Sequence, residues 1–328
     1  MEREAPGMER LDAFMARANA AFYDQPDPLA HFTTAPEISQ AFGECLGLWA
    51  AVVWQQMGSP SPVWLVELGP GRGTLMADAW RAVGEMVPGF PAAARVALVE
   101  GSAGLRTRQG AALPGVPAQW FDRVEDVPPG PAIILANEFI DALPIRQFIR
   151  RAEGWMERFV ADGAFIERPS DEDLPPAPEG SVLERGEAGQ ALAAHLAARV
   201  AAQGGAALLL DYGPAESAPG DSLQAVRDHR AADPLDRPGS ADLTAHVDFA
   251  ALARAAGPAD RHGPIPQGLF LQRLGLMSRA AMLAQSAPRQ AGMILSGAQR
   301  LVAPEGMGRL FKALCLCQPG LPVPAGFG

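Results

Sequence analysis

The residues best suited to chemistry lie at the ends of short apolar runs. Val63-Trp64-Leu65-Val66-Glu67-Leu68 runs into Gly69-Pro70-Gly71-Arg72-Gly73, so an acid stands just ahead of three alternating glycines. Glycines there let the backbone turn sharply and approach a ligand with no Cβ in the way. Helical spacing resumes at Thr74, and the free N–H groups of that helix would face the same crevice. Dinucleotide sites use G-x-G-x-x-G and lay a pyrophosphate on such groups. Here the third glycine is in a different register, and Glu67 would repel a pyrophosphate. The same acid suits a cofactor with a cationic sulfonium and an ammonium group. The loop therefore favours S-adenosylmethionine over NAD, with Glu67, Gly69, Gly71 and Gly73 as cofactor residues. A strand–helix turn that holds no ligand is the competing reading.

Other runs end in polar groups as well. Val96–Val99 stops at Glu100-Gly101-Ser102, where an acid can accept from both ribose hydroxyls, so Glu100 and Ser102 are cofactor candidates. Ala132–Ala136 stops at Asn137-Glu138-Phe139-Ile140-Asp141. Asn137 is placed to hold the cofactor's methionine part, and Glu138 and Asp141 to grip a cationic acceptor as the catalytic pair. Paired carboxylates can hold a planar guanidinium by charge-assisted hydrogen bonds. Against this, Glu138 could simply anchor a loop and Asp141 cap a helix. Trp120 is a candidate for packing on adenine, with the core as its other home. Asp211 and His246 are substrate-side candidates; capping for the first and loop packing for the second compete. The five histidines are scattered, so no metal-ligand spacing is expected.

These groups need a scaffold. Apolar runs at 63–68, 96–99, 118–121, 132–136 and 206–210 alternate with helical stretches. That is the pattern of an α/β fold whose mostly parallel sheet is covered on both faces. A last strand is expected at 310–316, with helices over 8–22, 74–87, 247–256 and 269–285. Another helix should start after Thr34, with Pro36 near its first turn, and run to about Met57. Short strands at 145–150, 155–160 and 164–167, with Asp162-Gly163 as a hairpin turn, read as an insertion. The organisation is thus an N-terminal helical extension (1–61), a first core segment (62–144), an α+β insertion (145–204) and the rest of the core (205–328).

Composition narrows the function classes. The 328 residues carry a formal net charge of −10, which disfavours general nucleic-acid binding. Cys45, Cys315 and Cys317 are an odd number, as expected of free thiols in a reducing compartment. The stretch 191–210 is interrupted by His195, Arg199, Gln203 and Gly204-Gly205, so it reads as helix, turn and strand and not as a membrane span. Met1-Glu2-Arg3-Glu4 carries no apolar leader core. The cytoplasm is the expected compartment, or the mitochondrial matrix for a processed form.

Together these segments resemble the MidA-type methyltransferase family, which includes a mitochondrial complex I assembly factor and bacterial relatives. The resemblance rests on Phe32-Thr33-Thr34-Ala35-Pro36-Glu37-Ile38-Ser39-Gln40, the glycine loop and Ala136-Asn137-Glu138-Phe139-Ile140-Asp141-Ala142-Leu143-Pro144. It continues through Asp211-Tyr212-Gly213, the run from Gly239 to Phe249, and Met307 to Lys312. The chain departs from the family at Ala30-His31, where Gly-Asp is usual, and at Pro266-Gln267-Gly268, where Thr-Gln-Gly is usual. The resemblance implies a class I, Rossmann-like methyltransferase fold. It also implies Glu37 in the site beside Glu138 and Asp141, and a protein acceptor, an arginine nitrogen on a respiratory-complex subunit in the mitochondrial member. Two other readings stay open: a non-catalytic assembly factor that retains the cofactor, and a methyltransferase for a small metabolite.

Overall fold

The computed structural model describes residues 7–328; Met1–Glu4 lies outside them. Its centre is a seven-stranded sheet of β1 (Val63–Leu68), β2 (Ala94–Val99), β3 (Ala118–Phe121), β4 (Ala132–Asn137), β5 (Gly205–Tyr212), β6 (Asp260–Pro266) and β7 (Phe311–Cys317). The spatial order is β6-β7-β5-β4-β1-β2-β3. Strands β1 to β5 pair in parallel, and β7 runs antiparallel to both β5 and β6. Every residue of β1 is buried, as a strand covered on both faces requires. Val63 and Leu65 point into the layer that holds Phe42, Leu46 and Trp49. Trp64, Val66 and Leu68 point into the opposite layer, with Leu196 and Val200. Because β1 lies between β2 and β4, the chain order reverses at its carboxyl end, where open α/β sheets bind their ligands.

The helices that matter for the site are α1 (Leu11–Tyr23), α2 (Ala35–Ile38), α3 (Gln40–Gln56), α4 (Thr74–Met86), α5 (Ala103–Ala112) and α6 (Glu187–Gln203). The single helix expected from Thr34 to Met57 is broken. Ser39 is extended (φ −151°, ψ 117°) and buried, and it separates α2 from α3. Thr34 makes no side-chain cap to α2; Glu138 caps it instead, by accepting the Ala35 N–H at 2.7 Å. The expected helix over 269–285 is split at Gly275 (φ 80°) into Gln267–Arg273 and Leu276–Ser286, and a further helix spans Ala291–Val302.

The insertion forms an antiparallel sheet of Arg146–Arg151, Gly154–Ala161, Ala164–Pro169 and Val182–Arg185. Its edge is completed by Met8–Arg10, read from sequence as the start of a helix. A small sheet of Gln224–Arg227, Arg230–Ala232 and Asp242–Thr244 follows β5. Strand β6, also unexpected, is an edge strand with a register shift between His262 and Ile265 around Gly263-Pro264, a position where proline is tolerated. Among the described residues no helix is long and apolar enough to cross a membrane.

Candidate active site

A cavity of about 740 Å³ opens at the carboxyl ends of β1, β2 and β4. Gly69, Pro70, Gly71 and Arg72 form its floor, and Gly73 stands behind it against Gln109 and Leu113. Gly69, Gly71 and Gly73 have φ 60°, 54° and 82°, a left-handed geometry in which a side chain is strained. A Cβ on Gly69 would stand 2.6 Å from the Phe139 ring. The loop leads directly into α4. Glu67 is 4% exposed, and its Oε2 has no hydrogen-bond partner. Burial pushes its carboxyl up to about 8, with the Met76 N–H pulling partly the other way. Across the floor, Asn137 Oδ1 is also buried without a partner. Buried polar atoms are nearly always paired; these two belong to residues that line the cavity, where they are available to a ligand's donors.

At the end of β2, Glu100 is held at both oxygens. Oε1 accepts the Ser102 N–H at 2.9 Å, and Oε2 accepts from Gln109 Nε2 at 3.1 Å. Burial raises its pKa against these donors. Ser102 caps α5 by accepting the Leu105 N–H. Past β4, Glu138 sits at φ 49°. Its Oε1 takes the Ala35 N–H and, at 3.1 Å, Asn137 Nδ2. Burial pushes it up to about 7. Glu37 lines the same cavity and pairs with Arg72 Nε at 2.8 Å; burial raises its pKa and Arg72 opposes the rise.

The family model described as S-adenosyl-L-methionine-dependent methyltransferase matches residues 45–265. The chain belongs to that family. It is 35% identical to the mitochondrial protein arginine methyltransferase NDUFAF7 homolog of Drosophila melanogaster, over 95% of this chain and 81% of that protein. It is 33% identical to the Homo sapiens NDUFAF7, over 92% of this chain and 76% of that one. Among solved structures, a superfamily member from Burkholderia thailandensis bound to S-adenosyl-homocysteine superposes with a TM-score of 0.83 and 28% identity, covering 98% of this chain and 90% of that one. The protein is therefore a methyltransferase that uses S-adenosylmethionine. The orphaned oxygens of Glu67 and Asn137, the open glycine floor and the fixed Glu100 carboxylate suit a molecule with a cationic end and a ribose.

The remaining candidates of this methyltransferase are distributed differently from the sequence expectation. Asp141 does not line the cavity: it is buried behind it near Asp211 and Asp242, and burial beside those acids raises its pKa strongly. Asp211 is 1% exposed and also stands off the cavity. Its Oδ2 accepts the N–H groups of Phe139, Ile140 and Asp141 at 3.2, 2.8 and 3.1 Å. It therefore shapes the loop that follows Glu138. His246 lines a second cavity of about 580 Å³, edge-on to Tyr212. Trp120 is not on the cavity wall; it packs against the core and donates from Nε1 to Gln109 Oε1 at 2.8 Å.

Several residues of the site escaped the sequence reading. Arg72 sits inside the glycine loop and reaches Glu37, Asp27 and the Leu29 carbonyl. Asp122 follows β3 as Glu100 follows β2, and that repeated strand–acid pattern was a usable signal. Gln109 is a buried amide four residues beyond buried Leu105 on the inner face of α5, and a polar group at an apolar helical position was its signal. Tyr23 and Asn19 come from α1, and nothing in their spacing joins them to the site.

Proposed function

We propose that this methyltransferase acts on a protein side chain and that its acceptor is an arginine nitrogen. The observation that carries the reading is the cavity's charge. Among the described residues, Asp24, Glu37, Glu67, Glu100, Asp122 and Glu138 line it against one cation, Arg72. Glu67 and Glu100 suffice for the cofactor, and the surplus matches a cationic acceptor. The names of the arginine-methylating relatives agree with this. We assign cofactor binding to Glu67, Gly69, Gly71, Gly73, Glu100, Ser102 and Asn137, and acceptor binding to Glu138 with Glu37. Asp141, with no place on the wall, leaves the catalytic pair.

The bound cofactor supplies an electrophilic methyl group. Glu138 and Glu37, accepting N–H bonds from the guanidinium, would orient it and draw its positive charge away from the attacking nitrogen. Glu138, held at about 7 by burial, is matched to take up the proton that the nitrogen loses. A reducing compartment, either cytoplasm or mitochondrial matrix, fits three buried cysteines that are all free.

The test is transfer of a labelled methyl group into lysate proteins, followed by hydrolysis to amino acids. Label in methylated arginine supports the reading; label confined to lysine or to small molecules overturns it. Glu138→Gln should lower turnover at least a hundredfold, about 2.7 kcal/mol, and leave S-adenosyl-homocysteine affinity within about threefold.

A further inference from the structure

We propose that Gln109 is a positioning residue for ribose recognition, because its side chain clamps the carboxylate of Glu100 to the glycine loop. This rests on the assignment of Glu100 to the ribose hydroxyls. Gln109 projects from α5 and is fully buried. Its Nε2 donates to the Gly71 carbonyl at 2.9 Å and to Glu100 Oε2 at 3.1 Å. Its Oε1 accepts from Trp120 Nε1 at 2.8 Å. An indole N–H can only donate, so it fixes which end of the amide is oxygen. The NH₂ group must then face the glycine loop and the acid. Both of its hydrogens are used, one on each.

The consequence falls on Glu100. Its oxygens each receive one protein donor, from Ser102 N–H and from Gln109. A carboxylate oxygen has two acceptor sites, so one on each oxygen is left over for a pair of neighbouring hydroxyls. The carboxylate is thus locked in orientation without being saturated. Arg106 does not replace this clamp, since its guanidinium bonds the Glu100 backbone carbonyl and Asp122. Trp120 acquires a role of the same kind. It stands outside the cavity, yet it sets the amide that sets the acid.

The test is calorimetric and needs no turnover. S-Adenosyl-homocysteine and its 2′-deoxy counterpart are titrated into the full chain, and the ratio of their affinities is read. In Gln109→Leu the ratio should fall about tenfold, the loss of one charge-assisted hydrogen bond, with the 2′-deoxy ligand little affected. Glu100→Gln should lower the ratio as well. If Gln109→Leu does not fold, Trp120→Phe removes only the bond that orients the amide and should cut the ratio about threefold. A ratio unchanged in the folded Gln109 or Trp120 variant but lowered in Glu100→Gln overturns the inference, as does equal weakening of both ligands. A ratio unchanged in Glu100→Gln overturns the ribose role of Glu100 and the clamp with it.

Discussion

An acid buried without a partner holds its proton, and Glu67 does so at the point where a cationic ligand is needed. With Glu67 at about 8 and Glu138 at about 7, the folded chain binds more protons than the unfolded chain between the ordinary carboxyl range and those values. Their contribution to the stability of the ligand-free protein should therefore be fully present below the ordinary carboxyl value of 4.5 and be lost as pH rises from there through 7 to 8. Thermal melts at pH 5.5 and 8 check this, and Glu67→Gln should flatten the difference. A cationic ligand favours the ionised acid, so S-adenosylmethionine binding should release a proton at pH 7. Titration in buffers of different ionisation enthalpy should show that release in the wild type and lose it in Glu67→Gln. Asp211 acts differently, through the backbone. In Asp211→Asn, one side of the group becomes a donor facing the Tyr212 N–H, which now bonds to Oδ1 at 2.9 Å, or facing the three loop N–H groups. Turnover should fall at least tenfold, about 1.4 kcal/mol, as Glu138 loses its aim. S-Adenosyl-homocysteine affinity should stay within about threefold, since the glycine loop is untouched.

Among the elements, the strand–loop–helix unit from Val63 to Met86 was legible because its determinants are local: an apolar run, the glycines and a helix start lie in consecutive residues. Gly69→Ala tests that unit. The variant meets strain at φ 60° and the Phe139 ring at 2.6 Å, so cofactor affinity should drop tenfold or more while the far-ultraviolet spectrum is kept. Gly84, inside α4, has nothing within 4 Å of a built Cβ. Gly84→Ala should add about 0.5–1 kcal/mol to stability, read as a higher melting temperature with unchanged affinity. The N-terminal cap of α2 was not legible, because Thr34 supplies none and Glu138, about a hundred residues away, does. The Asp162-Gly163 hairpin could be read from its turn, whereas Met8–Arg10 becomes a strand only by pairing with residues 159–161. The site divides in the same way. Glu67, Glu100 and Glu138 each stand at the end of an apolar run, where the sequence shows them. Arg72 and Gln109 matter through partners that only the fold supplies, and Asp141, three residues past Glu138, stands off the wall that its neighbour Ala142 lines, a placement no local pattern shows.

At the scale of the molecule, the insertion sheet and α1 connect the site to the rest of the chain. Leu11, Phe14 and Met15 of α1 pack with Ile145 and Val160 of the insertion. The same helix brings Asn19 and Tyr23 to the cavity. Arg146 holds this arrangement together. It bonds Glu157 twice, at 2.7 and 2.9 Å, and reaches Glu172 at 2.8 Å and Glu187, the first residue of α6, at 3.1 Å. Arg146 and Glu157 are both buried, so removing the cation alone strands a charge. Arg146→Met should cost about 3–5 kcal/mol, nearer the lower end because Arg10 stands 4.0 Å from Glu157 and offers partial compensation. The double variant Arg146→Met/Glu157→Leu should regain most of the loss, since two apolar groups of similar size leave no buried charge unpaired: Glu172 keeps Arg185, and Glu187 is half exposed. Denaturant melts of the three proteins measure both effects. If the single variant is as stable as the wild type, the ion pair is not what joins the insertion to the core. If the double variant is no better than the single, the cost is not that of a stranded carboxylate, and Arg146 acts through its guanidinium stacked 4.9 Å over the Phe148 ring.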